Sequence, residues 1–88
     1  MIEHLAPVAD PERALHDAGL QPSAWSAPAH THFARHEHAR TKRLFVRSGD
    51  INFNGEWLHA PAGIRIAAGT EHEADVGARG VECVEAFE

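Results

Sequence analysis

The sequence predicts an all-β fold, a small sandwich or barrel, with one short helix near its start. From Gln21 onward, short apolar runs alternate with turns rich in glycine and proline. Asn54-Gly55 separates the runs 51–53 and 56–58, the pattern of a two-residue hairpin, because both turn residues tolerate positive φ. Short strands separated by turns at such intervals are typical of β-sandwiches and barrels.

The composition fits one globular domain. The chain has 88 residues, of which 43% are hydrophobic and 24% are charged, and its formal net charge is −5. A core of this size benefits from a partner subunit or a metal. The acidic balance argues against nucleic acid as a partner. A single cysteine excludes an internal disulfide and a CxxC metal site, so a reducing cytoplasm is the simplest compartment.

One helix is predicted over residues 11–18, outside the β region. Asp10 suits the N-cap, Pro11 suits the first helical position, and Gly19 is a natural stop. We therefore divide the chain into a lead-in with a short helix, residues 1–24, and a β-barrel domain, residues 25–88. Residues 1–8 are expected to be irregular or strand-like. The lead-in has no long apolar run and no basic start, so neither a signal peptide nor a membrane span is expected.

The predicted strands are bounded by glycine and proline. An edge strand carries Trp25 between two prolines. Gly49 is expected to end the strand over residues 42–47, and a turn is expected at residues 77–80. In chain order, the remaining strands are expected over residues 30–38, 51–53, 56–58, around 64–66, 72–76 and 81–87, with further turns at residues 61–63 and 68–70.

Histidine is the unusual residue of this chain, with 8 in 88 positions. Alternation over residues 30–38 places on one strand face His32, Ala34, His36 and His38, and on the other Phe33, Arg35 and Glu37. Surface histidines in a polar segment would be the simplest explanation. The alternative is that His72, beyond the hairpin, joins His36 and His38 inside a barrel, where three imidazoles make an open metal site.

Two motifs in this sequence resemble those of the cupin family. The first reads His36-x-His38, three residues, Lys42, six residues, Gly49. It matches the spacing of the cupin motif H-x-H, Glu, Gly, with lysine at the glutamate position. The second reads Pro-Ala-Gly at 61–63 and Ile-Ala-Ala-Gly-Thr-Glu-His at 66–72. It is similar to the cupin pattern P-G-D followed by I-P-A-G-T-x-H, and the resemblance covers residues 25–87.

The resemblance implies a small cupin-type β-barrel of the jelly-roll type, a double-stranded β-helix, with a divalent metal ion near its centre. Carried over residue by residue, His36, His38 and His72 fill the histidine positions, whereas Lys42 stands where the family has its glutamate. Zinc, nickel, iron and manganese all stay open as the metal.

Lys42 is the candidate catalytic residue, and three roles stay open for it. A protonated lysine repels a cation at close range. A neutral amine inside the barrel can serve as a ligand or a base. A side chain that turns to the barrel mouth keeps its charge in water. Because its strand parity is that of His38, we expect its side chain to start toward the interior.

Other residues receive less specific assignments. His30 and His32 are expected at the barrel lip or surface, although His32 shares the parity of His36 and can line the pocket. Positions away from the site are expected for His4, His16, Glu37, His59 and Glu73. A solvated basic rim that attracts an anionic substrate is expected from Arg35, Arg40, Lys42, Arg43 and Arg47. Trp25 and Trp57 are expected in the core or a dimer interface, and Cys83 is expected to be a buried structural thiol.

Three functions are compatible with these residues, because a fold does not determine a function. The first is a small metal-binding cupin that holds a divalent ion and a small anionic organic ligand, as a cytoplasmic homodimer. The second is a metal-dependent dioxygenase, isomerase or lyase acting on a small organic acid or sugar derivative. The third is a metal-free ligand-binding or regulatory module. A short chain leaves little room for lids and favours binding, whereas open metal positions favour an enzyme.

Overall fold

Seven strands and one helix make up the structure, a computed structural model that describes residues 1–88. The helix α1 spans Pro11–Asp17, and the strands are β1 (Ile2–Leu5), β2 (Ser23–Ala27), β3 (His32–His36), β4 (Lys42–Phe53), β5 (Glu56–His59), β6 (Ala62–Ile66) and β7 (His72–Phe87). All pairings are antiparallel. The sheet order is β1-β6-β4-β7-β2, with β3 also on β7 and β5 also on β4. The predicted all-β class with a short N-terminal helix is confirmed.

Two long strands, β4 and β7, form the framework of the sheet, and each pairs with three others. β4 continues through Gly49 and β7 continues through residues 77–80, so the predicted strand end and the predicted turn there are wrong. The β4–β7 ladder shifts its register between Val46 and Ser48 and again between Gly49 and Ile51. Such irregularities bend a strand without ending it.

The core lies inside the curve that these bends produce. Its eleven buried residues come from both halves of β4 and β7, from β5 and from β6: Leu44, Val46, Ile51, Phe53, Leu58, Ile64, Ile66, Ala74, Val76, Val81 and Cys83. A second, smaller cluster packs the helix against the outer side of the same two strands and contains Leu15, Phe45, Val84 and Ala86. Alternate residues of the long strands therefore face two different apolar clusters.

Most local predictions are confirmed. The Asp10 side chain caps the helix by accepting a hydrogen bond from the Arg13 backbone N–H at 3.1 Å, and the helix ends one residue earlier than predicted, at Asp17. The hairpin turn has φ +52° at Asn54 and +91° at Gly55. Trp25 lies on β2, which is an edge strand in the main sheet order.

The turn predicted at residues 61–63 is wrong in part, because β6 already begins at Ala62. Gly63 packs its backbone against an aromatic ring: a Cβ there would lie 2.8 Å from the ring of Phe45. Residues 2–5 pair with β6 as β1, so the lead-in adds a strand to the sheet. The division at residue 25 and the homodimer stay predictions. No helix in the chain has both the length and the apolar character that crossing a membrane requires.

Glu88 connects two strands through its side chain. Its carboxylate accepts hydrogen bonds from Arg65, at 2.8 and 2.9 Å, and from Arg43, at 2.8 Å. These guanidinium groups, Arg65 foremost, lower the pKa of Glu88 from its ordinary value of 4.5 to about 2. The ionised carboxylate is therefore favoured in the folded state.

Replacing Glu88 with glutamine is expected to lower the melting temperature at neutral pH and to lose this effect in acid. A carboxyl group whose folded-state pKa is depressed stabilises the fold above its unfolded pKa, near 4.5, and loses that contribution as the pH falls toward about 2. Melting curves of both proteins between pH 7 and pH 2 test this. Glu82→Gln is the control, because Glu82 is exposed on β7, the strand that precedes Glu88. A constant difference across the whole pH range would contradict the expectation.

Candidate metal-binding site

Three histidines meet at the inner side of the curved sheet. His36 ends β3, His38 follows it by two residues, and His72 begins β7. One ring nitrogen of each lies within 4.8 Å of the corresponding nitrogens of the other two. The ring centroids are 4.3 Å apart for His36 and His72, 4.8 Å for His36 and His38, and 5.2 Å for His38 and His72. The structure therefore brings together the three residues that the motif spacing singled out.

Pairing between β3 and β7 places His36 directly opposite His72. The register of this ladder shifts between Phe33 and His36, where β3 has one residue more than β7. Because such a bulge reverses the alternation, Phe33 and His36 line the same cavity. The prediction that they occupy opposite faces is wrong for this reason.

His32 precedes the bulge and faces away from the cavity, so the idea that it lines the pocket is also wrong. Its Nδ1 lies 2.8 Å from Oδ1 of Asp75, and both side chains are more than half exposed. The bulge thus selects His36, and not His32, as the histidine of β3 that faces inward.

Backbone carbonyls orient two of the three rings. Nδ1 of His36 lies 2.6 Å from the oxygen of Ala34, and Nδ1 of His72 lies 2.9 Å from the oxygen of Thr70. Since a carbonyl only accepts, each Nδ1 carries the proton and donates, and each Nε2 keeps its lone pair for another partner.

The third ring presents a buried nitrogen with no partner. Nε2 of His38 is buried and makes no hydrogen bond. Leaving such an atom unpaired costs about 1–3 kcal/mol. Two rings with a free Nε2 and a third with an orphaned one form a donor set that fits a metal ion.

The surroundings of His38 and His72 favour the neutral imidazole, the form that binds metals. Burial lowers the pKa of His38 most, and the nearby charge of Lys42 lowers it further, followed by the neighbouring histidines. Burial is also the largest cause of the lowered pKa of His72, whose side chain is 1% exposed.

Lys42 lies in the same cavity and is only 8% exposed. The expectation that it starts toward the interior is confirmed, and the alternative of a charge kept in water at the barrel mouth is wrong. Its Nζ lies 3.4 Å from Oε1 of Glu85 and 5.5 Å from the centre of the Phe87 ring. The ammonium therefore has a carboxylate and an aromatic face as partners inside the protein.

Glu85 is the charged cavity residue that sequence reasoning missed. Its side chain is 16% exposed, and the same Oε1 accepts a second hydrogen bond, from Nε1 of Trp25 at 2.7 Å. The sequence does contain a sign of its inward direction. Val81 and Cys83 on the last strand are buried in the core, and alternation places residue 85 on the same face. A carboxylate from β7 therefore lies in the cavity beside Lys42, although it is not part of the histidine cluster.

The cavity has a volume of about 170 Å³. Its polar wall consists of His36, Lys42, His72 and Glu85, and its apolar wall of Trp25, Phe33, Leu44, Ile51, Phe53 and Ala74. Pockets for drug-sized ligands occupy about 300–1,000 Å³. This cavity accommodates a smaller molecule.

The basic residues expected to form an anion-attracting rim are mostly neutralised by partners. Apart from buried Lys42, the structure pairs Arg35 with Glu71, Arg43 with Glu88 and Arg47 with Glu12, while Arg40 donates to the backbone oxygen of Glu88. The predicted attraction of an anion by this rim is therefore weak at best, because the ion pairs cancel most of its charge.

The remaining sequence assignments are mostly confirmed. His59 is exposed and its Nδ1 lies 2.8 Å from Oδ1 of Asp50. Cys83 is 1% exposed, and burial raises the pKa of its thiol to about 12. These properties are those of an unreactive structural cysteine, as expected. Trp25 packs against the core, whereas Trp57 is 48% exposed and stacks on the His59 ring. The expectation of a core position for Trp57 is wrong, and its role in a dimer interface stays a prediction.

Comparison with known proteins identifies the fold. No protein-family model and no curated protein sequence matches the chain. A protein of unknown function with a cupin-like fold from Ralstonia eutropha matches with a TM-score of 0.70 and 17% identity, over 80% of this chain and 51% of that one. This chain has a cupin fold. The fold expected from the two motifs is therefore confirmed.

Two further structures show how varied the proteins with this cupin fold are. A putative acetylacetone dioxygenase from Methylibium petroleiphilum matches with a TM-score of 0.68 and 21% identity, over 98% of this chain and 59% of that one. The cupin-2 domain of an XRE-family transcriptional regulator from Enterobacter cloacae matches with a TM-score of 0.63 and 20% identity, over 100% of this chain and 94% of that one. The chain spans 51–64% of the length of four matched structures. At such identities the likeness concerns the fold alone.

Proposed function

We propose that this chain is a small metal-binding cupin in which His36, His38 and His72 hold one divalent metal ion. The orphaned Nε2 of His38, beside two rings whose Nδ1 atoms are committed to backbone carbonyls, carries the proposal. Imidazole donors suit zinc, nickel and iron better than manganese, which prefers oxygen ligands. The three-histidine set therefore favours the first three of the four metals considered.

The second part of the proposal is that the cavity binds a small anionic organic molecule. Neutral histidines leave the charge of a bound dication uncompensated, and Lys42 is already paired with Glu85. The attraction for an anion therefore comes from the histidine side of the cavity. A bound metal ion with open positions supplies Lewis acidity to an oxygen of such a ligand.

Metal analysis of protein purified without an affinity tag tests the first part, followed by titration of the metal-free protein with zinc. We expect about one ion per chain. A variant with alanine at His4, His16 and His59 is the control, because all three lie on the surface. Absence of bound metal and of any zinc binding by the metal-free protein would overturn the proposal.

A metal-dependent dioxygenase, isomerase or lyase is the second candidate function, on a small organic acid or sugar derivative. Lys42 and Glu85 favour an enzymatic function, because the Lys42 Nζ and the Glu85 Oε1 lie 3.4 Å apart in the cavity. An amine and a carboxylate can each transfer a proton to or from a bound molecule. A substrate screen with zinc-, nickel- and iron-loaded protein tests it, with Lys42→Met as the variant that should lose turnover. The cytoplasmic location stays a prediction, which rests on the free cysteine.

A further inference from the structure

We infer that the Lys42–Glu85 pair makes the cavity selective for a ligand whose second end is a neutral hydroxyl group, and selective against a second carboxylate at that end. The inference rests on the proposed function, which assigns the anionic end of the ligand to the histidine side. It goes beyond that proposal by naming the chemical class of the ligand, a short hydroxycarboxylate.

The pair offers the cavity both a donor and an acceptor. Oε1 of Glu85 accepts from Lys42 at 3.4 Å and from Trp25 at 2.7 Å, whereas Oε2 accepts from no protein group. The Lys42 ammonium has three N–H donors and uses one of them, on Glu85. A cavity wall with one free acceptor and free donors, side by side, suits a group that can both donate and accept.

A hydroxyl group has that character, and the other common end groups do not. It accepts from the Lys42 ammonium and donates to Oε2 of Glu85. A carboxylate only accepts and is repelled by Glu85, and an ammonium only donates and is repelled by Lys42. A methyl group leaves Oε2 of Glu85 and the unused Lys42 donors without a partner. The Lys42–Glu85 pair therefore determines how the affinity of a ligand depends on its second terminal group.

The pair is held in place before any ligand arrives. Trp25 fixes Glu85 through its indole N–H and meets the Phe33 ring edge to face, with the centroids 5.6 Å apart. Phe87 supports the Lys42 ammonium from its ring face, 5.5 Å away. Groups held in this way lose little freedom on binding, so their preference is expressed as affinity.

The size and the walls of the cavity define the rest of the ligand. A volume of about 170 Å³ corresponds to only five or six water molecules at about 30 Å³ each. The apolar part of the cavity wall includes Phe33, Leu44 and Phe53. A chain of a few carbon atoms fits this apolar wall, with the carboxylate at one end and the hydroxyl at the other.

Calorimetric titration of the zinc-loaded protein with four matched carboxylates tests the inference. The probes are 4-hydroxybutyrate, pentanoate, succinate and 4-aminobutyrate, which differ in the group that follows the spacer. We expect 4-hydroxybutyrate to bind about tenfold tighter than each of the others. Equal affinities, or tighter binding of succinate, would overturn the inference.

Two variants change the ranking in opposite directions. Glu85→Gln removes the negative charge and leaves Lys42 uncompensated, so succinate should gain about tenfold in affinity and lose its disadvantage. Lys42→Met leaves Glu85 unpaired, so 4-aminobutyrate should gain instead. Glu82→Gln, on the exposed side of β7, should change neither ranking. If one variant fails to fold, the other and the wild-type ranking still decide the matter.

The same experiment separates the two levels of proposal. If the purified wild-type protein contains no metal and the metal-free protein binds no zinc, the proposed function and this inference are overturned together. Zinc binding with no preference among the four carboxylates overturns only the inference, and leaves Lys42 and Glu85 as a structural ion pair.

Discussion

Replacing His72 with alanine is expected to abolish divalent metal binding, with a loss of affinity of at least about 100-fold. His72 is the most buried of the three histidines, at 1% exposure, and its ring is fixed by the carbonyl of Thr70. Its partner across the ladder is His36. Losing even a residue that orients a metal ligand costs about 10–100-fold in affinity, and loss of the ligand itself should cost more.

Zinc titration of the wild-type and variant proteins measures this loss, and His59→Ala is the control at an exposed histidine. A companion variant, His38→Leu, separates lost binding from lost folding. Because Nε2 of His38 is buried without a partner, an apolar side chain there should raise the stability of the metal-free protein by about 1 kcal/mol while metal binding is lost. Full metal content in His72→Ala protein would contradict the proposed site.

Features that depend on adjacent residues are predictable from this sequence. The cap at Asp10 and the turn at Asn54-Gly55 each need only one or two residue types in a fixed order, and both are present in the structure. The meeting of the three histidines is predictable too, because the two motifs carry their spacing.

Features that depend on pairing between distant strands are not predictable in the same way. The bulge that puts Phe33 and His36 in one cavity arises from the register of β3 on β7. β4 continues past Gly49 because its residues 51–53 pair with residues 74–76, in the first half of β7. A glycine in the sequence is equally compatible with a strand end and with a bend inside a strand.

Glu85 is an intermediate case. Its inward direction follows from alternation with Val81 and Cys83, but its importance depends on Lys42, 43 positions earlier in the chain. Lysine at the motif's glutamate position looks, by itself, like a loss of negative charge at the site. Only the juxtaposition of β4 and β7 reveals that a carboxylate accompanies it.

The bend at Gly49 is what brings the two halves of β4 to one cavity, with Lys42 and Leu44 before it and Ile51 and Phe53 after it. We expect Gly49→Ala to destabilise the fold by more than about 4 kcal/mol, or to prevent folding.

Two causes add at this position. Gly49 has φ +78°, and a Cβ there would lie 1.9 Å from the backbone oxygen of Gly80. Backbone in the paired strand cannot move aside as the end of a side chain can, so the ladder between β4 and β7 must open.

Gly19→Ala is the matched control, since φ is +81° there and nothing lies within 4 Å of the added carbon. It should cost only the backbone strain, about 1–2 kcal/mol. Urea unfolding of both variants measures the difference, and a Gly49→Ala protein as stable as Gly19→Ala would show that the close approach to Gly80 does not hold the bend.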